Sequence, residues 1–173
     1  MYWRPWPAAG ARRRRSSAAS VSMNRPNGGR TKSWPAIASV LSLDARLRHG
    51  LATRPGLRVP VGFDAWETAV RAVVGQRISV IATRTLLTRL IGEDGGFPTA
   101  AQLLGREFDG IGLTRARVQT IRALASAVVD GRIHFRAGQS LDAFVDALVA
   151  LPGIGPWTAH YIAMRALGHP DAF

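Results

Sequence analysis

The chain has 173 residues, enough for one ordinary hydrophobic core, and 47% of them are apolar, close to the soluble globular average. It contains no cysteine, which excludes disulfides, thiolate zinc sites and iron–sulfur clusters, and no run approaches the roughly 18 apolar residues of a membrane span. The formal net charge is +12, but eight basic residues fall in residues 1–35; the remainder, with 15 basic and 11 acidic residues, carries only +4.

Residues 1–35 read as a disordered basic tail. They hold four prolines, an Asn27-Gly28-Gly29 turn and no hydrophobic period, and no apolar segment follows the arginines as a secretory signal requires. The segment could be a basic arm for nucleic acid, a dispensable tail, or the result of a mis-assigned start ahead of Met23. Lys32 is the chain's single lysine; so strong an arginine bias suits phosphate recognition and equally suits GC-rich codon usage. A mildly basic body is compatible with a nucleic-acid partner without requiring one.

From Ala36 onward the pattern is helical. Ala36 to His49 predicts one helix stopped by Gly50, and residues 52–62 predict a loop, so that 36–62 forms a linking helix and loop. Asp64 and Glu67 have the spacing of a capping box, opening a helix that runs through Val70, Val73 and Val74 to Gln76. Ser79 is placed to cap a helix ending at Leu90 or Ile91 before Gly92, and Thr99 with Gln102 is a second capping-box pattern, opening a short helix to Leu104. Thr114 is placed to cap a long helix to Asp130 whose apolar positions Val118, Ile121, Leu124, Ala125 and Val128 share one face. Ser140 is placed to cap a helix with Leu141, Phe144, Val145 and Leu148 inward, and a final helix runs from Pro156 to Leu167, stopped by Gly168. No segment alternates with period two, so the fold class is all-α, short loops joining helices of about 10–16 residues.

The connection 151–161, LPGIGPWTAHY, reverses the chain within a few residues. Gly153 and Gly155 fit positions of positive φ, Ile154 can tuck between the helices, and Pro156 suits the first helical position. Such a bare turn at a helix N-terminus points backbone N–H groups outward, which makes an anion site suited to a DNA phosphate. An αα-hairpin with glycine caps and no ligand fits the same spacing. Trp157, Tyr161 and Met164 lie at i, i+4 and i+7, a stripe that serves either a pocket or a core.

Three segments, in order, carry a resemblance. The hairpin 151–161 resembles the helix–hairpin–helix of the base-excision DNA glycosylases, most closely the AlkA-type 3-methyladenine DNA glycosylases. Residues 63–76, FDAWETAVRAVVGQ, are similar to that family's first catalytic-domain helix, which ends in Gly-Gln, and residues 110–117, GIGLTRAR, resemble its glycine turn before an Arg-Ala pair. The similarity covers roughly residues 54–173, and the glycosylase-like helical domain is assigned to 63–173.

The resemblance implies an enzyme that everts a damaged base and hydrolyses its glycosidic bond, with alkylated, often cationic purines as substrates. It places Trp157 and Tyr161 in the base pocket, where an indole face suits a cationic base, and leaves Met164 with the core. It makes Gly153, Ile154, Gly155, Thr114, Arg115 and Arg117 contacts to the DNA backbone, although the last three are equally a capped helix with solvated arginines. Gln76 and Arg77 fall on the loop that enters the minor groove; Arg77 stands where the family has an apolar wedge, and Ile78 takes that place if the register shifts by one. Bifunctional relatives carry a nucleophilic lysine at the hairpin; tryptophan there implies a monofunctional hydrolase. The implied cofactor set is empty apart from a monovalent cation at the hairpin, and the implied setting is a cytoplasmic monomer acting on double-stranded DNA with alkylated bases, away from any membrane.

The family's catalytic aspartate, which stabilises the developing oxocarbenium charge, follows the second hairpin helix in a Phe-x-Pro-x-Asp pattern. Phe173 matches that phenylalanine, so the aspartate is expected just beyond the last residue, and Asp171 matches another position. Asp142 and Asp146 read as solvated, and His160 and His169 offer no metal set. The chain therefore reads as a fragment of marginal stability, without the family's β-rich N-terminal domain or closing helices. The alternative, in a different class, is a non-catalytic hairpin module that binds DNA through phosphates alone, with salt-dependent affinity and no lesion preference.

Overall fold

The computed structural model describes residues 33–92, 95–136 and 138–172; all but the end of the basic tail, and Phe173, lie outside them. Among the described residues the structure is helical throughout, with no strand and no helix long and apolar enough to cross a membrane. The elements are α1 (Trp34–Leu41), α2 (Ala45–Thr53), α3 (Ala65–Val74), α4 (Val80–Ile91), α5 (Ala100–Leu104), α6 (Arg115–Val129), α7 (Leu141–Val149) and α8 (Pro156–Ile162), the last running into a π-helical turn at Ala163–Leu167.

Helix α3 is the centre. Ala69, Val70, Val73 and Val74 are all fully buried, and the helix packs on α4, α6, α8 and the π turn. Helix α5 lies along α6, and α7 packs on α8. The core joins these elements through Leu87, Leu90, Leu103, Ile121, Leu124, Leu148 and Ile162. Local chemistry sets most helix starts. The N–H groups of Glu67, Ala82, Gln102 and Arg117 donate to the side-chain oxygens of Asp64, Ser79, Thr99 and Thr114 respectively. The box at Thr99 is reciprocal, since Gln102 accepts from the Thr99 N–H at 2.8 Å.

Four expectations are corrected. The single helix at 36–49 is two helices, because the Asp44 side chain accepts the Arg46 N–H and starts a second helix that carries through Gly50. Glu67 does not close a box at Asp64; it accepts from Arg71 Nε at 2.6 Å one turn along. The Ser140 side chain makes no capping bond to α7. The last helix widens into the π turn, which leaves the Arg165 carbonyl to accept the Gly62 N–H at 2.7 Å and ties the loop before α3 to the end of the hairpin.

Candidate functional site

The hairpin turn sits between α7 and α8. Leu151 and Ile154 are buried, Ile154 at 3% exposure, and act as an apolar plug between the helices. Gly153, Gly155 and Pro156 face outward. Gly153 has φ +81, and a Cβ added there would meet Thr120 Oγ1 at 2.1 Å, so the turn rests directly on α6 at a point where only hydrogen fits. Gly155 departs from expectation. Its φ of −89 and ψ of 170 are extended, so it serves as the N-cap of α8 without requiring left-handed geometry, and open space surrounds its α-carbon.

The donors divide accordingly. The Ile154 N–H is committed to the Leu151 carbonyl at 3.3 Å, whereas no backbone carbonyl among the described residues accepts from Gly153 or Gly155. Those two amides lie beside the N-terminus of α8, and N–H groups without backbone acceptors at a helix start suit an anion.

One residue past Pro156, Trp157 is 66% exposed. Its ring stacks on Tyr161, with centroids 5.4 Å apart and planes 14° from parallel, as i, i+4 spacing on α8 allows. Inserting a third ring between them would need a gap of about 7 Å, two carbon contact distances. The indole is largely exposed, with Tyr161 stacked against it. Met164 lies partly buried against the core.

The loop between α3 and α4 stands beside the hairpin. Gln76 does not project outward. Its Nε2 donates to the Gly153 carbonyl at 3.1 Å and to Thr158 Oγ1 at 3.0 Å, so the expected groove contact is, in this conformation, a tie to the hairpin. Arg77, next in sequence, is the one non-glycine residue with positive φ among those described, at 56°, and it is exposed. A left-handed arginine costs roughly 1–2 kcal/mol, which the surrounding bonds must offset. Ile78 is half-buried.

Arg117 is also turned inward. Its Nη2 donates to the Gln76 carbonyl at 2.6 Å, and its side chain is half-buried rather than solvated. Thr114 and Arg115 are exposed at the start of α6, the Thr114 hydroxyl being occupied in part as a cap for the Arg117 N–H. The structure thus brings the hairpin, the Arg77 loop and the α6 N-terminus to one side of α3. Sequence reading missed the bonds that join them and missed Thr120. The signal for Thr120 was a threonine on the inward face of α6 beside Ile121, buried to 4%.

Comparison with known proteins decides the family. The chain is 38% identical over 150 residues to a Mycobacterium tuberculosis protein named as a probable bifunctional transcriptional activator/DNA repair enzyme AlkA, covering 80% of this chain and 30% of that one. It is 33% identical over 135 residues to DNA-3-methyladenine glycosylase 2 of Escherichia coli, covering 70% and 48%. Its fold superposes on the crystal structure of a Bacillus halodurans DNA-3-methyladenine glycosidase with a TM-score of 0.70 and 25% identity, covering 83% of this chain and 68% of that one. The chain belongs to the AlkA-type helix–hairpin–helix DNA glycosylases. No protein-family model matches it. This AlkA-type chain spans about a third of the mycobacterial relative and about half of the Escherichia coli relative. Among its described residues, no group of three histidines or acids is placed to hold a metal ion.

Proposed function

We propose that this chain is the hairpin-bearing part of a monofunctional DNA glycosylase that acts on alkylated purines, the 3-methyladenine type, in double-stranded DNA. The observation that carries the reading is the exposed indole of Trp157, stacked on Tyr161 and set one residue beyond a turn whose Gly153 and Gly155 are exposed. An everted base needs a flat, electron-rich platform, and a cationic alkylpurine gains cation–π attraction on it that a neutral base does not. The turn beside it supplies a sequence-independent grip on phosphate, with Thr114 and Arg115 as flanking contacts. Arg77 enters the minor groove at the everted position. A monovalent cation at the hairpin carbonyls would strengthen the grip by adding positive charge near the phosphate.

Hydrolysis needs a carboxylate to stabilise the oxocarbenium-like sugar and orient water. The reading assigns DNA grip and base capture to the hairpin, the Arg77 loop and the start of α6, and assigns the hydrolytic role to none of the described carboxylates. The protein acts as a cytoplasmic monomer in this reading.

Retention on methylated and unmethylated duplex DNA tests it. The expected result is retention that weakens steeply between roughly 50 and 200 mM salt and a preference for the methylated duplex. Equal retention of both duplexes would instead favour a phosphate-gripping module without lesion recognition.

A further inference from the structure

The Arg77 loop, the hairpin and α6 are far apart in sequence and are joined by a short relay of polar contacts. Gln76 Nε2 reaches the Gly153 carbonyl at 3.1 Å and the buried Thr158 hydroxyl at 3.0 Å, across 77 and 82 residues. The Gln76 carbonyl in turn receives Arg117 Nη2 at 2.6 Å, from the first turn of α6. Gly153 lies against Thr120, one turn further along α6. Every contact ends on the hairpin, on Gln76 or on α6, so the triangle closes. Arg77 is the next residue after Gln76, and its left-handed backbone persists only where its neighbours are pinned.

We propose that Gln76 and Arg117 are positioning residues, which hold Arg77 at a fixed separation from the phosphate-gripping turn without touching DNA themselves. A duplex gripped at the turn then meets Arg77 one set distance away, at the place of the everted nucleotide. Without the tie, the loop relaxes; the turn still grips phosphate, but eversion is no longer coupled to it. This rests on the proposed function above.

The test is a double-mutant cycle on Gln76→Leu and Thr158→Val, reading affinity for a duplex with a tetrahydrofuran abasic analogue against the same duplex undamaged. Far-UV circular dichroism and thermal melting accompany each variant. Each single change is expected to lower the abasic preference about tenfold while undamaged-duplex affinity moves less than about twofold, and the double change adds nothing further. Arg117→Lys, which keeps a donor toward the Gln76 carbonyl, is expected to retain more of the preference than Arg117→Met. If Gln76 touches DNA directly, the two changes add, and the positioning role is overturned although the lesion reading stands. If the parent chain shows no abasic preference, the lesion reading fails and the positioning role with it. Where Gln76→Leu melts as an unfolded chain, Arg117→Met against Arg117→Lys carries the same comparison, and equal preference in both overturns the proposal.

Discussion

The N-terminal helix pair and the body from α3 onward are built from similar amino acids and behave differently. Neither α1 nor α2 buries a single residue; Val40, Leu43 and Leu47 are exposed, and the pair packs chiefly on itself. In the body, α3 alone buries four residues completely and touches four neighbouring elements. Apolar residues at helical spacing are thus sufficient to write a helix but not to bury one. What the body adds is a set of facing elements that close around α3, and the candidate site lies entirely on that closed part.

Core truncation gives the largest expected contrast. Leu124→Ala, at a fully buried position, should cost roughly 2–5 kcal/mol in chemical denaturation, whereas Leu47→Ala on α2 should stay within about 0.5 kcal/mol. Equal costs would mean that α2 belongs to the body after all. The glycines sharpen the same comparison. Gly153→Ala places a methyl against Thr120 at a φ of +81 and should destabilise the body by roughly 2–3 kcal/mol. Gly50→Ala, inside α2 with open space around it, should stabilise that helix by about 1 kcal/mol, visible as added helicity by circular dichroism with little change in the body's melting temperature.

The smallest effect is a titration. Burial lowers the pKa of His169 below the ordinary imidazole value, and the Asp171 carboxylate opposes that shift in part. With the folded pKa depressed, the unfolded chain binds more protons as pH falls through about 6.5, so stability is lost on acidification below that point. The melting temperature should therefore drop slightly between about pH 7.5 and 5.5, less so in His169→Gln; a steeper drop in the variant would reverse the assignment.

Much of the fold was legible because its signals are local. Asp64, Ser79, Thr99 and Thr114 each cap the helix they precede, within three residues of the N–H they accept. The errors at the N-terminus have a local cause too. An apolar run through Val40, Leu41 and Leu43 hid the break that Asp44 makes, and Gly50 looks like a stop although nothing crowds it within α2. Elsewhere the outcome depended on partners distant in sequence. Gln76 reads as a minor-groove residue and turns inward because the Gly153 carbonyl and Thr158 await it. Arg117 reads with Arg115 as either a DNA-backbone contact or a solvated arginine, and the two separate, one toward the Gln76 carbonyl and one toward solvent. Spacing placed Trp157 and Tyr161 on one face; only the fold shows that Trp157 stays largely exposed and that the two rings already stack.

The central claim is that the exposed side of Trp157 receives an everted cationic base. The most direct measurement is the affinity for a duplex with one 7-methylguanine relative to the unmodified duplex, in the parent chain and in Trp157→Ala. One base–aromatic stack is worth about 1–3 kcal/mol, so the parent should prefer the methylated duplex by roughly 5- to 150-fold. Trp157→Ala should lose that preference while keeping its affinity for unmodified DNA, since the turn's amides are untouched. A preference that survives intact in Trp157→Ala would contradict the account.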